Sequence, residues 1–245
     1  MNIVWATVLG LIQGLTEFLP VSSSGHLVIA QHFIPGFTQP GILFDVVLHL
    51  ATLLAVLFFY RNRIFTLGRK YYQLLLIGTI PAATIGFLFQ SQLENTFGDF
   101  KMVGVELIIT GILNFLIDRT KTVHKNINYS NSFLIGISQA IAIIPGISRS
   151  GATIFSGVKL GIDRQKAAEF SFLLSIPAIL GANVLQVISH GNNIIGNPIY
   201  YFAGFVAAFI GGFFSINLVL TSLAKRRFSL FGYYCIAIGL IVLLI

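Results

Sequence analysis

The sequence predicts an all-α polytopic membrane protein made of two inverted repeats, each a re-entrant helix-loop-helix followed by three transmembrane helices. Three observations predict it. Apolar residues make up 56% of the 245 and charged residues only 9%, against about 25% charged in an ordinary soluble domain. Six apolar runs approach or exceed the roughly 20 helical residues that cross a bilayer. Two further apolar regions are interrupted, and the interruptions recur at one fixed spacing. Too little charge remains to coat a water-facing surface, so most of the surface faces lipid.

The six runs cover about residues 42–60, 71–90, 103–118, 167–188, 199–220 and 229–245. The interrupted regions are 3–33 and 133–157. The first breaks at Pro20-Val21-Ser22-Ser23-Ser24-Gly25 and the second at Pro145-Gly146-Ile147-Ser148-Arg149-Ser150-Gly151. Both read as helix, tight loop, short helix. At membrane depth such backbone is tolerated only when it is buried in protein or lines a cavity.

The basic residues fix the topology. With both interrupted regions re-entrant, Arg61, Arg63, Arg69, Lys70, Arg119, Lys121, Lys125, Lys159, Arg164, Lys166, Lys225, Arg226 and Arg227 fall on one side. That is 13 of the 15 Lys and Arg, with Lys101 on the far side and Arg149 inside a break. If each region crossed once, these charges would scatter over both sides. The positive-inside rule therefore selects the re-entrant arrangement, with both termini outside. The net charge of +7 reads as topology signal and attraction to anionic headgroups, with no nucleic-acid partner. Cys235 is the single cysteine and lies in an apolar run, which excludes a disulfide framework or thiol–metal cluster. The N-terminus lacks a basic n-region and a cleavage pattern and reads as mature sequence.

The halves match at an offset of 126. Gln13 pairs with Gln139, Ser22 with Ser148, Ser24 with Ser150, Gly25 with Gly151, Phe44 with Phe170 and Leu48 with Leu174. Gly78 pairs with Gly204, Ala82 with Ala208, Gly86 with Gly212 and Phe87 with Phe213. The chain thus reads as one membrane domain, 1–245, with repeat one at about 1–125 and repeat two at about 126–245. Three spans per half is an odd number, so the second half is inverted. Such repeats place their site at the repeat interface near the midplane. Ser23 is the counterpart of Arg149, since 23 + 126 = 149.

Ionisable residues inside membrane segments are costly and mark function by default. Glu17, His26 and Arg149 lie in or beside the breaks. Arg149 offers a planar, permanently charged fork that matches phosphate oxygens. Ser148, Ser150, Gly151 and Thr153 around it let an anion approach, and the following short helix aims its N-terminus there. Ser22, Ser23 and Ser24 are nucleophiles or phosphate contacts. His26 serves as acid, base or nucleophile. Glu17 holds a divalent cation or polarises a hydroxyl. The set is one of phosphoryl transfer. The competing structural reading makes Glu17 and Arg149 an ion pair that only ties the hairpins together.

Other charged residues carry less. Asp45 and His49 share a helical face at i and i+4, in a structural pairing or a supporting role. Glu106 lies near the outer end of its span. Glu169 reads as a partner of a helix N-terminus. The basic runs 61–70 and 225–227 read as loops contacting headgroups, and His124 and His190 carry no signal.

The segments Gln13-Gly14-Leu15-Thr16-Glu17-Phe18-Leu19-Pro20-Val21-Ser22-Ser23-Ser24-Gly25-His26 and Pro145-Gly146-Ile147-Ser148-Arg149-Ser150-Gly151-Ala152-Thr153 resemble the two signatures of the undecaprenyl-diphosphate phosphatase family, also called bacitracin-resistance proteins. The resemblance covers essentially the whole chain. It implies a multi-pass enzyme of the bacterial inner membrane, with its site facing the periplasm. That enzyme removes the terminal phosphate of undecaprenyl diphosphate and recycles the carrier for cell-wall synthesis. It implies a polyprenyl diphosphate as substrate, membrane lipids as surroundings, and dependence on Mg²⁺ or Ca²⁺. The family's functional positions map onto Glu17, Ser23, His26, Ser148, Arg149 and Thr153, and onto Gln13, where many relatives carry Glu. With Gln there, a metal site would rest on Glu17 together with Gln13. The type-2 phosphatidic acid phosphatases share Ser-Gly-His and Ser-Arg signatures but need a His six residues after the Arg, where Phe155 stands. The rival from another class is a polyprenyl-phosphate transporter or flippase, which needs the anion clamp but no nucleophile. The sequence leaves the oligomeric state open, a homodimer included.

Overall fold

The computed structural model describes residues 2–34, 42–89, 100–121, 123–144, 146–190 and 197–245. Among them the chain forms eleven helices and no strand: α1 (Ile3–Phe18), α2 (Ser23–His32), α3 (Ile42–Phe59), α4 (Arg61–Thr66), α5 (Arg69–Leu88), α6 (Phe100–Arg119), α7 (Tyr129–Ile141), α8 (Arg149–Lys159), α9 (Arg164–His190), α10 (Pro198–Ala224) and α11 (Ser229–Leu244). The six uninterrupted runs are α3, α5, α6, α9, α10 and α11. The two interrupted regions are the pairs α1–α2 and α7–α8. Of the expected outer segments, most of 91–101 and 189–198 lies outside the described residues, as does Pro145.

Four helices, α5, α6, α9 and α10, are long and apolar enough to cross a membrane. The protein is therefore a multi-pass membrane protein. The helices α3 and α11 are equally apolar but have 18 and 16 residues, or about 27 and 24 Å at 1.5 Å per residue. Helices of that length would cross only a slightly thinned bilayer. One expectation is revised at 61–70, where the basic run holds α4. Arg61 closes the end of α3 by donating to the Phe58 carbonyl at 3.0 Å and lies over the Phe58 ring. This lets the chain turn straight into another helical turn.

Small residues decide which helices meet, since in lipid association rests on close packing. The helix α1 lies against α10 so tightly that a Cβ on Gly10 would strike the Gly204 carbonyl, and one on Gly14 the Ala208 carbonyl. The helix α7 meets α5 in the same way, Gly136 against the Gly78 carbonyl. The pair α6–α11 closes at Gly104 against Gly239 and at Gly111 against Gly232. Hydroxyls reinforce these seams. Ser215 donates to the Gly14 carbonyl at 3.2 Å and Ser132 to the Leu74 carbonyl at 2.5 Å.

Polar contacts gather the basic loops at one end of the bundle. Arg63 pairs with Glu169 at 2.9 Å. Arg164 donates to the carbonyls of Ile117, Asp118 and Thr120 at the end of α6. Asp118 caps α11 by accepting from the amide and hydroxyl of Ser229, both at 2.8 Å. The amides of Val123 and Lys125 both donate to the Gly161 carbonyl, so the chain entering α7 touches the chain leaving α8. The α7–α8 hairpin therefore starts and finishes at the same end, and its tip lies in the interior.

Candidate functional site

Both breaks are built alike. Helix α1 stops where Leu19 turns extended at ψ 143°, which is what a residue before proline prefers. Ser22 caps α2, its Oγ accepting from the Gly25 amide at 3.3 Å. Ser148 caps α8, its Oγ accepting from the Gly151 amide at 3.1 Å. Each cap serine also meets the serine two residues on, Ser24 at 3.3 Å and Ser150 at 3.1 Å. Ser22 reaches its position with φ +69°, a left-handed conformation rare for a side-chain-bearing residue. Gly146 has φ +89°, and a Cβ there would run into the Glu106 side chain.

The breaks touch. The Gly146 amide donates to Ser24 Oγ at 3.4 Å. A Cβ on Gly25 would sit 3.3 Å from the Gly146 Cα. Ser150 Oγ donates to the Leu19 carbonyl at 3.0 Å. Helix α6 pins both. Thr110 Oγ1 donates to the Gly146 carbonyl and accepts from the Ser148 amide, both at 3.0 Å. One turn on, Asn114 Nδ2 donates to the Pro20 carbonyl at 2.6 Å. Two helix N-termini, those of α2 and α8, thereby converge on one point.

Glu17 occupies that point. Its Oε1 accepts from Arg149 Nη2 at 2.5 Å. Its Oε2 accepts from Ser23 Oγ and from Gln13 Nε2, both at 2.8 Å. The pair is deeply placed, with side chains 6% exposed for Glu17 and 17% for Arg149. Two polar atoms here have no partner among the described residues: Arg149 Nη1 and Gln13 Oε1. Buried polar atoms are normally satisfied, so both are unspent capacity beside the carboxylate. Half of the Arg149 fork is thus committed to Glu17 and half is available. The sequence-based set Gln13, Glu17, Ser23 and Arg149 is brought into direct contact.

His26 is nearby but turned elsewhere. Its Nδ1 lies 2.8 Å from the Ser22 carbonyl and its Nε2 2.8 Å from the Tyr234 hydroxyl. Thr153 Oγ1 donates to the Arg149 carbonyl at 2.8 Å and meets Ser171 Oγ at 2.6 Å, so its hydroxyl supports the first turn of α8. His49 Nδ1 bonds the Asp45 main-chain carbonyl at 2.8 Å. Glu169 serves Arg63 at the basic end.

Four participants escaped the sequence reading: Thr110, Asn114, Ser171 and Tyr234. Thr110 and Asn114 left one signal, two polar residues one turn apart within an apolar span. Among the described residues no group of three His, Cys, Asp or Glu side chains is placed to hold a metal. A cation here would depend on the orphaned Gln13 carbonyl oxygen and Glu17.

The bacitracin resistance protein BacA family model matches residues 6–241. The chain is similar to the undecaprenyl-diphosphatase of Syntrophotalea carbinolica, 40% identical over 98% of this chain and 97% of that one. It is 42% identical to the undecaprenyl-diphosphatase of Thermosipho africanus, over 96% of each. It is 39% identical to that of Methanobrevibacter smithii, over 99% and 97%. A match of this length, spanning both breaks and every helix between them, places the chain in the bacitracin resistance protein BacA family.

Proposed function

We propose that this protein hydrolyses undecaprenyl diphosphate to undecaprenyl phosphate and inorganic phosphate, recycling the lipid carrier for cell-wall synthesis. The observation that carries the reading is the Glu17 carboxylate, which holds the Ser23 hydroxyl on one oxygen and the Arg149 guanidinium on the other. A nucleophile, its base and a half-vacant phosphate fork share one buried point.

In the proposed reaction the terminal phosphate takes the free Nη1 of Arg149. Ser22, Ser24, Ser148, Ser150 and Gly151 form the cradle around it, with Thr153 bracing the Arg149 main chain beneath, shaped by the two caps and favoured by two helix N-termini. Ser23 Oγ attacks the terminal phosphorus while Glu17 Oε2 takes its proton. The anhydride P–O bond breaks and undecaprenyl phosphate departs. Water then attacks the phosphoserine, His26 takes the water's proton, and the Ser23 O–P bond breaks as Glu17 returns its proton to Ser23 Oγ, releasing inorganic phosphate. In the alternative role of Glu17, as a cation ligand rather than the base, Glu17 and Gln13 Oε1 are the groups that would hold Mg²⁺ or Ca²⁺, a set with few protein ligands that suits Mg²⁺. Such an ion would supply charge neutralisation.

We further propose that the whole chain is one domain of two inverted repeats, 1–125 and 126–245. The close contacts support this. Gly10 on Gly204 becomes Gly136 on Gly78 when each residue is exchanged for its counterpart at 126. Gly104 on Gly239 becomes Gly232 on Gly111 at an offset of 128. Contacts that exchange in this way are what a twofold axis produces. The gathering of basic loops at one end supports a cytoplasmic placement of that end in the inner membrane, with the first break open to the periplasm.

The test is phosphate release from undecaprenyl diphosphate by purified protein in detergent. Equimolar undecaprenyl phosphate and inorganic phosphate are expected. Movement of the lipid across a proteoliposome membrane with no phosphate released would instead support the transporter.

A further inference from the structure

We propose that Tyr234, on α11, is a positioning residue for this phosphatase reaction: it holds the His26 imidazole as a proton acceptor through Nε2. The inference rests on the hydrolase reading above and adds a residue to it.

The geometry has two parts. The Ser22 carbonyl 2.8 Å from His26 Nδ1 can only accept, so Nδ1 carries the hydrogen. In the neutral ring Nε2 then holds a lone pair, and the Tyr234 hydroxyl 2.8 Å away donates to it. The two rings also stack, 5.5 Å between centroids and 11° from parallel. His26 is thereby clamped at both nitrogens. Its tautomer follows from the bond the other nitrogen makes.

The clamp is built by parts of the chain that serve the site. The Ser22 carbonyl is turned to Nδ1 by the unusual Ser22 backbone, φ +69° and ψ 101°. Tyr234 is anchored by its neighbour Cys235, which is fully buried and lies 3.7 Å from the Pro20 carbonyl in the first break. Helix α11 in turn is seated on α6, the helix that pins both breaks. Tyr234 itself is 44% exposed. Its hydroxyl stands where an incoming O–H would meet Nε2 and has room to yield to it.

The clamp explains why an imidazole three residues from Ser23 is not bonded to it. Ser23 gives its hydrogen bond to Glu17, which leaves His26 for a different proton. In the second step that proton comes from water. The water O–H bond breaks as the oxygen bonds phosphorus, and Nε2 receives the proton once Tyr234 moves aside.

Tyr234→Phe retains the ring and removes the hydroxyl. The expected result is a fall in kcat of about tenfold, a fraction of what a whole general base contributes. KM stays within about twofold and the melting temperature is unchanged. In ¹⁵N-histidine spectra the bare Nε2 resonance of His26, identified by its loss in His26→Gln, moves toward the position of a nitrogen without a hydrogen bond. In the His26→Gln background Tyr234→Phe costs nothing further, because Tyr234 acts through His26. Wild-type turnover in Tyr234→Phe, an unmoved His26 resonance, or equal losses with and without His26 would each overturn the inference. Absence of phosphate release by the wild-type protein would instead defeat the hydrolase reading, and the ¹⁵N comparison would still report on the clamp.

Discussion

Glu17 Oε1 lies 2.5 Å from Arg149 Nη2, across 132 residues of sequence and between the tips of two different hairpins. The contact is the shortest link between the halves at the site. It is also the contact the structural reading of these residues would require. What separates the readings is the remaining chemistry. Glu17 also holds Ser23 and Gln13, and Arg149 keeps Nη1 in reserve.

Arg149→Lys is expected to insert and fold yet lose turnover by about a hundredfold, the scale of removing one preorganised anion donor. Lysine retains the charge and can still salt-bridge Glu17. It cannot hold Glu17 and phosphate at once with a planar fork. Phosphate release per folded molecule measures this. Near-wild-type release would leave Arg149 a structural partner only.

Glu17→Gln is expected to abolish nearly all turnover, since an amide cannot take the Ser23 proton. Burying Arg149 without its counter-charge should also lower stability by about 3–5 kcal/mol. Gln13→Glu should remain active and bind Mg²⁺ or Ca²⁺ more tightly, because it adds a second carboxylate one helical turn away. Turnover and calorimetric cation titration report the two effects separately. A fully active Glu17→Gln enzyme would remove that residue from the mechanism.

Gly10→Ala and Gly136→Ala should destabilise the protein by similar amounts, about 1–3 kcal/mol each. Each methyl would meet a backbone carbonyl, of Gly204 and Gly78 respectively, and the two sites are counterparts. Gly181→Ala is the control. Nothing lies within 4 Å of its Cβ position, so it should stabilise α9 by about 0.5–1 kcal/mol. Unfolding in detergent would show the pattern, and unequal losses at Gly10 and Gly136 would count against the twofold.

For topology, residues 61–70, 119–131 and 225–227 should be cytoplasmic, and 91–101 and 189–198 outside. Single-cysteine labelling on a Cys235→Ser background is the measurement. Labelling of 189–198 from the cytoplasmic face alone would sink the inverted arrangement.

The sequence carried the breaks and the site's charged members because both violate the apolar background. Clustered Pro, Ser and Gly at 20–25 and 145–151 interrupt the apolar runs, and Glu17 and Arg149 cannot sit there without partners. Of the packing glycines, Gly78 and Gly204 were legible as an offset pair, though which helices they join was not. What escaped was held by single polar atoms. Thr110 and Asn114 act on main-chain carbonyls of the breaks, and a lone threonine in an apolar run has many other uses. Tyr234 meets His26 across 208 residues, and no local pattern encodes that. The cradle hydroxyls were assigned by residue type. The structure gives Ser148, Ser150 and Thr153 capping and bracing bonds as well, which depend on backbone direction. The helix α4 followed from Arg61 folding back on Phe58, where charge alone suggested a loop.

Ser23 Oγ is the attacking atom of the proposed reaction. A slow diphosphate analogue, quenched during turnover and mapped to its residue, tests it directly. A phosphate on Ser23 that survives acid and is lost in strong base is expected, because Ser23 Oγ is the hydroxyl held 2.8 Å from Glu17 Oε2. An acid-labile phosphate on His26 would contradict it, and so would turnover with no covalent phosphate on either residue, which would make water the direct nucleophile with Glu17 as its base.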